Sequence, residues 1–228
     1  MRKRIGWIAC LLGFALSILF GVLAAVHVFG TDAELYYALQ MDAGILDSAG
    51  ISEETLVMLD EALSDFLKGD AAALNIEAKV FSEMQPAFGA RELIHMEDCR
   101  KLFDLLRIGI RVSGIAGSLL LTLGCVLLHN DRRSIRLSAW LSPLAIVIPL
   151  GLLAVWAMID FNAAFNFFHE ILFTNDLWLL NPATDLLIRI CPASMFMAMG
   201  AKIGLAGLSW AMILPGLATV LTAKKERA

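Results

Sequence analysis

The chain has 228 residues, 59% of them hydrophobic and 18% charged, with a mean hydropathy of +0.74. Soluble domains carry about 45–50% apolar and about 25% charged residues, so this composition excludes a soluble globular protein and indicates an integral membrane protein. The net charge of -4 comes without a basic patch interleaved with aromatics, which excludes the usual signature of nucleic-acid binding. Cys10, Cys99, Cys125 and Cys191 form no CxxC pair and no metal-ligand spacing. Neither a phosphate-binding Gly loop nor HExxH or GxSxG occurs, and no metal or cofactor is expected.

In chain order, the first apolar stretch is Ile5–Val28, behind the basic Arg2-Lys3-Arg4. Its apolar run exceeds the roughly 7–15 residues of a signal peptide, so it reads as an uncleaved anchor. Residues 30–106 follow, acidic at first through Asp32, Glu34, Asp42, Asp47, Glu53, Glu54, Asp60, Glu61, Asp65 and Asp70. Within them Ser52 is a helix N-cap, Leu56, Leu59, Leu63, Phe66 and Leu67 recur at helical spacing, and Gly69 is the stop. This segment is too short to bury a core alone and reads as a helical lid.

The second span is Ile108–Leu128, the third Leu137–Ile159, and the fourth lies within residues 193–222; about 20 apolar residues cross a bilayer core. Arg132, Arg133 and Arg136 fill the short connection between the second and third, and Lys224, Lys225 and Arg227 close the chain. With four spans these clusters fall on one side, so the positive-inside rule puts both termini in the cytoplasm and residues 30–106 and 160–192 outside. The expected fold is an all-α membrane protein in one membrane domain: four transmembrane helices, an extracytoplasmic helical lid, and an interfacial or re-entrant helix.

Polar groups cluster where the second span begins. In FGARELIHMEDCRKLFDLLRIGIR, Glu92, His95 and Asp98 follow at i, i+3 and i+6, on one helix face. Asp98 is positioned to accept from a ring nitrogen of His95 and fix its tautomer; the bland alternative is a solvated histidine on an acidic helix. Arg100, Asp104, Arg107 and Arg111 form a second stripe, which points away from His95 on a straight helix. Arg111, inside the apolar run, faces a watery cavity or snorkels to the interface.

After the third span the chain must bend near Asp160, since a straight continuation would overrun the bilayer. Phe161, Phe165, Phe168 and Leu172 then mark an apolar face, and Asn162, Asn166 and His169 a polar one. That pattern suits a helix lying in, or dipping into, the outer boundary, with a turn at Thr174-Asn175-Asp176 and Trp178 as a headgroup-level anchor. His27, at the outer end of the first span, reads as interfacial, and His129 as structural.

These residues carry a resemblance. RELIHMEDC at Arg91–Cys99, DFNAAFNFFHEILFTNDLWLLNPATDLLIRICP at Asp160–Pro192 and, more loosely, YYALQ and GISEETLVMLDEALSDFLKGD resemble the bacterial lipoprotein intramolecular transacylase (Lit) family. The resemblance implies an acyltransferase of the bacterial cytoplasmic membrane, with its active site outside, whose partners are a diacylated lipoprotein substrate and membrane lipids. The sn-2 acyl chain of the diacylglyceryl-cysteine would move to the α-amine, giving the lyso-form. Ester aminolysis within one molecule needs no acyl-enzyme, and near-attack geometry supplies roughly 7–11 kcal/mol at best. It further implies His95 and His169 as the acid/base pair, with the division of roles open. Supporting residues would be Glu92 and Asp98 near His95, and Asp160, Asn175 or Asp176 near His169. Phe161, Phe165, Phe168, Trp178, Tyr36, Tyr37, Arg107 and Arg111 would meet substrate or lipid. The alternative is a non-catalytic membrane sensor or assembly protein that binds a partner through its acidic outer loop.

Overall fold

The computed structural model describes residues 1–223; the expected basic cluster of Lys224, Lys225 and Arg227 lies outside the described residues. The helices are α1 (Arg2–Phe29), α2 (Ala33–Asp42), α3 (Leu46–Ala49), α4 (Glu53–Lys68), α5 (Ala90–Leu127), α6 (Arg132–Leu141), α7 (Leu144–Ile159), α8 (Phe161–Leu172), α9 (Leu186–Ile190) and α10 (Ala193–Ala223). Strands β1 (Glu77–Val80) and β2 (Glu83–Pro86) form one antiparallel hairpin. Among the described residues, four stretches are helical, long and apolar enough to cross a membrane: Arg2–Phe29, Ala90–Leu127, Arg132–Ile159 and Ala193–Ala223. The molecule is thus an all-α membrane protein with one small hairpin. The chain divides into two compact units: Met1–Val26, Leu106–Val155 and Lys202–Ala228 in the first, His27–Leu105 and Trp156–Ala201 in the second.

In the first unit α1 is the most buried of the crossing helices. Lipid tails are as apolar as Leu, so helices associate in a bilayer through close packing of small residues, not through expulsion from water. The sequence supplies such a seam. A Cβ on Gly13 would lie 2.7 Å from the backbone nitrogen of Leu121, and one on Gly124 would lie 2.7 Å from that of Cys10. Cys10, Phe14, Leu128, Ile135, Ala139 and Ala218 form the buried cluster beside this seam. Trp210 on α10 donates its indole N–H to the carbonyl of Ser17 at 2.8 Å. On α5, Ile108, Val112, Ile115, Leu119, Leu123 and Val126 recur at helical spacing and are exposed, a lipid-facing stripe. No residue of α7 is buried, as an apolar helix bathed in lipid permits. Ser142 and Pro143 separate α6 from α7: Ser142 keeps helical backbone, but Pro143 has no N–H to donate to the Ala139 carbonyl, which accepts from the Ser142 hydroxyl at 3.0 Å instead.

The second unit packs the leucine face of α4. Leu56, Leu59, Leu63, Phe66 and Leu67 are all buried. The Ser52 hydroxyl accepts from the Thr55 N–H at 3.2 Å, and Gly69 closes the helix at φ 90°. Gln40 of α2 donates to Asp60 of α4 at 3.0 Å and to the carbonyl of Ile190 on α9 at 2.9 Å, so one side chain joins three helices. Burial pushes the Asp60 carboxyl up to about 7.

The seam generates a test. Gly124→Leu would overfill the α1–α5 contact, at a cost of about 1–3 kcal/mol, and should lower the melting midpoint of the purified protein in detergent. Gly151→Leu, where a Cβ meets nothing within 4 Å, should leave the midpoint unchanged. Equal midpoints for both variants would remove the seam from the account of stability.

Candidate active site

Helix α5 is 38 residues long, roughly 57 Å at 1.5 Å per residue, against an apolar core of about 30 Å. No more than about half of it can therefore lie in such a core, and the charged side chains from Arg91 to Arg107 leave the second half, from Ile108, as the more apolar one. Glu92 lies in the first turn. It is 2% exposed and accepts from the Gly89 N–H at 2.6 Å and from the Leu187 N–H on α9 at 2.6 Å. Orphan N–H groups at helix starts favour a carboxylate acceptor. Burial pushes the Glu92 carboxyl up from its ordinary range, while these two donors and Arg189 pull it back.

One turn further, His95 is 8% exposed, as is His169 from α8, and their ring centroids are 6.2 Å apart. The sequence of α8 explains the surroundings of His169. Asp160 caps the helix by accepting from the Ala163 N–H at 3.0 Å. Phe161, Phe165, His169 and Phe173 then follow at i+4 intervals, a spacing that stacks them along one face. Ring centroids around His169 lie at 4.1 Å for Phe165, 4.9 Å for Trp178 and 5.6 Å for both Phe168 and Phe173. Phe173 also sits edge-on to His95 at 5.1 Å, and Phe196 on α10 backs Phe165 at 5.5 Å.

This aromatic wall sets the protonation state. Desolvation lowers the pKa of His95 to about 4, helped by the neighbouring His169 and opposed by Asp98. It lowers that of His169 too, against the bond to Phe165. Both rings are therefore neutral at pH 7. His169 Nδ1 lies 2.7 Å from the Phe165 carbonyl oxygen. A carbonyl only accepts, so Nδ1 carries the proton and Nε2 keeps its lone pair. The Cys99 sulfur lies 3.6 Å from His95 Nε2 and 4.0 Å from Nδ1. Burial raises the Cys99 thiol to about 12, so it stays protonated and is a poor nucleophile.

The profile of the family described as lipoprotein intramolecular transacylase Lit matches residues 11–196. The chain belongs to the Lit family. It is accordingly an acyltransferase of the membrane-integral, lipoprotein-modifying kind. Among solved structures, the chain is similar to that of the membrane integral lipoprotein intramolecular transacylase Lit from Bacillus cereus, with a TM-score of 0.70 and 19% identity over 99% of this chain and 98% of that one. It is also similar to forms of that protein with a histidine-to-arginine mutation (0.68, 21%, 99% and 93%) and a histidine-to-alanine mutation (0.66, 20%, 99% and 96%). At these identities the likeness establishes the shared fold. No curated protein sequence matches the chain.

The remaining Lit-like site residues fall in distinct places. Asp98 does not hydrogen-bond to His95: its oxygens accept from Lys101 at 2.8 Å and Asn175 at 2.9 Å, and these bonds hold its carboxyl below its ordinary range. Asn175, Asp176 and Asp160 do not orient His169 either, since the Phe165 carbonyl takes its Nδ1 proton. Asp176 instead pairs with Arg91 at 3.5 Å and accepts a second bond from it at the backbone carbonyl. Tyr36 is buried and donates to the Gly30 carbonyl, while Tyr37 donates to Glu53 at 2.5 Å, so both hydroxyls are engaged within the chain. Arg107 and Arg111 belong to the first unit, whereas the histidine pair and its wall belong wholly to the second. His27 lies edge-on to Phe103 at 6.2 Å, and His129 Nδ1 approaches the Val126 carbonyl at 3.2 Å. Sequence reasoning passed over Phe173, Phe196, Arg91 and Lys101. The first was signalled by its i+4 distance from His169, and Arg91 by its i−4 distance from His95; nothing local marked Phe196.

Removing the Glu92 carboxylate strands two buried N–H groups, each costing about 1–3 kcal/mol. Glu92→Ala should therefore lower the melting midpoint and raise amide exchange at Leu187. Glu92→Gln, which keeps one acceptor oxygen, should fall between the two. An unchanged exchange rate at Leu187 in Glu92→Ala would contradict this.

Proposed function

We propose that the chain moves the sn-2 acyl chain of a diacylglyceryl-cysteine lipoprotein to the α-amine of that cysteine, leaving a free sn-2 hydroxyl. The observation that carries this reading is the pair of neutral imidazoles 6.2 Å apart. Two groups at that distance can each reach one tetrahedral carbon's substituents at hydrogen-bond length, about 2.6–3.2 Å. His169, with Nδ1 committed to Phe165 and Nε2 bare, is the base that takes a proton from the attacking amine. His95, neutral through burial, donates an N–H to the carbonyl oxygen as negative charge develops there. The C–N bond forms, the ester C–O bond breaks, and the proton held on His169 passes to the departing sn-2 oxygen. The product is an amide, and the step needs no co-reactant because both reacting groups arrive on one molecule.

The aromatic wall of Phe161, Phe165, Phe168 and Trp178 supports the reading in a second way. It excludes water from a reaction in which hydrolysis competes, and it suits acyl chains. Helix α8, apolar on the Phe161–Phe165–Phe168 side, then lies in the outer boundary of the bacterial cytoplasmic membrane, where the ester of a lipoprotein is found. The basic clusters Arg2-Lys3-Arg4 and Arg132-Arg133-Arg136 put the opposite ends of the spans in the cytoplasm. Arg107 and Arg111, near the outer end of the second span, suit lipid phosphates.

His95→Ala and His169→Ala should each reduce lyso-form product at least 100-fold while the proteins remain folded; loss of one acid/base group typically costs about 10²–10⁴-fold. Mass spectrometry of the lipoprotein N-terminus reads this, and undiminished product in both variants would overturn the assignment. The pH dependence is a separate check. The substrate amine titrates at about 7.7–8.0 and an ordinary histidine at about 6.5. Because burial lowers both rings, they protonate at lower pH than an ordinary histidine. The logarithm of the rate should therefore keep a slope of one below the amine's value and steepen only below about pH 6.5. Steepening that is already present above about pH 6.5 would mean that the rings titrate as exposed histidines do.

A further inference from the structure

We propose that Phe173–Trp178 is a clasped cap over the histidine pair, and that Arg91 and Lys101 are positioning residues that act through it to keep water from the ester. The inference rests on the transacylase reading above. Phe173 touches both rings and Trp178 covers His169 at 4.9 Å. The turn that carries them belongs to no helix or strand. Its own hydrogen bonds are local: Leu177 N–H to Asn175 at 3.0 Å, the Trp178 indole to the Asn175 carbonyl at 2.9 Å, and Leu179 N–H to the Asp176 carbonyl at 3.1 Å. They shape the turn without holding it anywhere.

The Phe173 N–H joins the turn to the end of α8, at 2.8 Å from the His169 carbonyl. Beyond that chain-local bond, among the described residues, two side-chain attachments tie it to another element, and both lead to α5. Arg91 grips Asp176 at its carbonyl and carboxylate. Asp98 receives the Asn175 amide at 2.9 Å. Lys101, 2.8 Å from the other Asp98 oxygen, leaves that carboxylate one free oxygen and points it at the turn. Arg91, His95 and Asp98 follow at i, i+4 and i+7, so one helical face carries a clasp on each side of the reacting ring. The Arg91–Asp176 attachment is solvent-exposed, at 41% and 78% side-chain exposure, while Asp98 in the other is half-buried beside an exposed Lys101. Exposed pairs of this kind are weak, so the cap releases and re-engages readily, as passage of a lipid-modified peptide requires. Engaged, it leaves the amine as the nucleophile at hand. Released during the reaction, it admits water, which would attack the same carbonyl, break the same C–O bond and liberate free fatty acid.

The experiment uses full-length protein in bilayers with a diacylated lipopeptide, reading N-acylated product against free fatty acid, and amide exchange over residues 173–180. Asn175→Asp sets two carboxylates against each other. It should raise exchange across the turn and raise the free-fatty-acid fraction several-fold. Adding Asp98→Asn in the same chain reverses the donor and acceptor, and should return both readouts most of the way. Arg91→Ala should behave as Asn175→Asp does, and Arg91→Lys should be milder. Loss of N-acylation with no rise in free fatty acid, or exchange that Asn175→Asp leaves unchanged, would overturn the cap. If exchange responds and is rescued while the unaltered protein forms no N-acylated product, the cap stands and the transacylase reading falls.

Discussion

The carboxylate of Glu92 holds the site together from underneath. It accepts from the loop N–H that precedes α5 and from the second residue of α9, elements far apart in sequence. A buried carboxylate with two N–H donors is costly to disturb, because either donor left alone in an apolar setting carries its full desolvation penalty. That sets where α5 begins, and hence the direction in which His95 points a turn later. The N-terminal half of α5 then supplies His95 together with Arg91, Asp98 and Lys101, so α5 carries the chemistry and its scaffolding alike.

Burial has a double effect on the two imidazoles. The rings lie among phenylalanines and a tryptophan, where charge is penalised, and each therefore rests as the neutral base. Their differences come from single neighbours. The backbone carbonyl of Phe165 fixes the tautomer of His169, whereas a protonated thiol beside His95 imposes little. Such an arrangement divides labour between identical side chains through environment alone.

Much of this was legible from residues in order. The apolar stretches gave the crossing helices, and the Ser52 cap, the leucine periodicity and Gly69 gave α4 at its observed ends. The His95 and His169 elements were found because polar groups in greasy surroundings demand an explanation. What was not legible depended on contacts between segments. Asp98 is close enough to His95 along a helix to invite pairing, yet Lys101, one turn onward, and Asn175, on a remote turn, outcompete the ring for its oxygens. The hairpin escaped notice because its turn places Phe81 and Ser82 at positive φ, 46° and 73°, where sequence normally announces itself with Gly or Asn. The Tyr36 and Tyr37 hydroxyls, expected to meet substrate, are spent on the fold.

The seam between α1 and α5 also constrains how the protein is made. These two helices approach most closely through Gly13 and Gly124, yet the chain between them holds α2, α3, α4 and the hairpin. During synthesis α1 must therefore wait as a solitary helix in lipid until a long hydrophilic segment has been made and its companion arrives. The stages of biogenesis are ordered by where the small residues sit: insertion of α1 first, then the intervening segment, and helix association last.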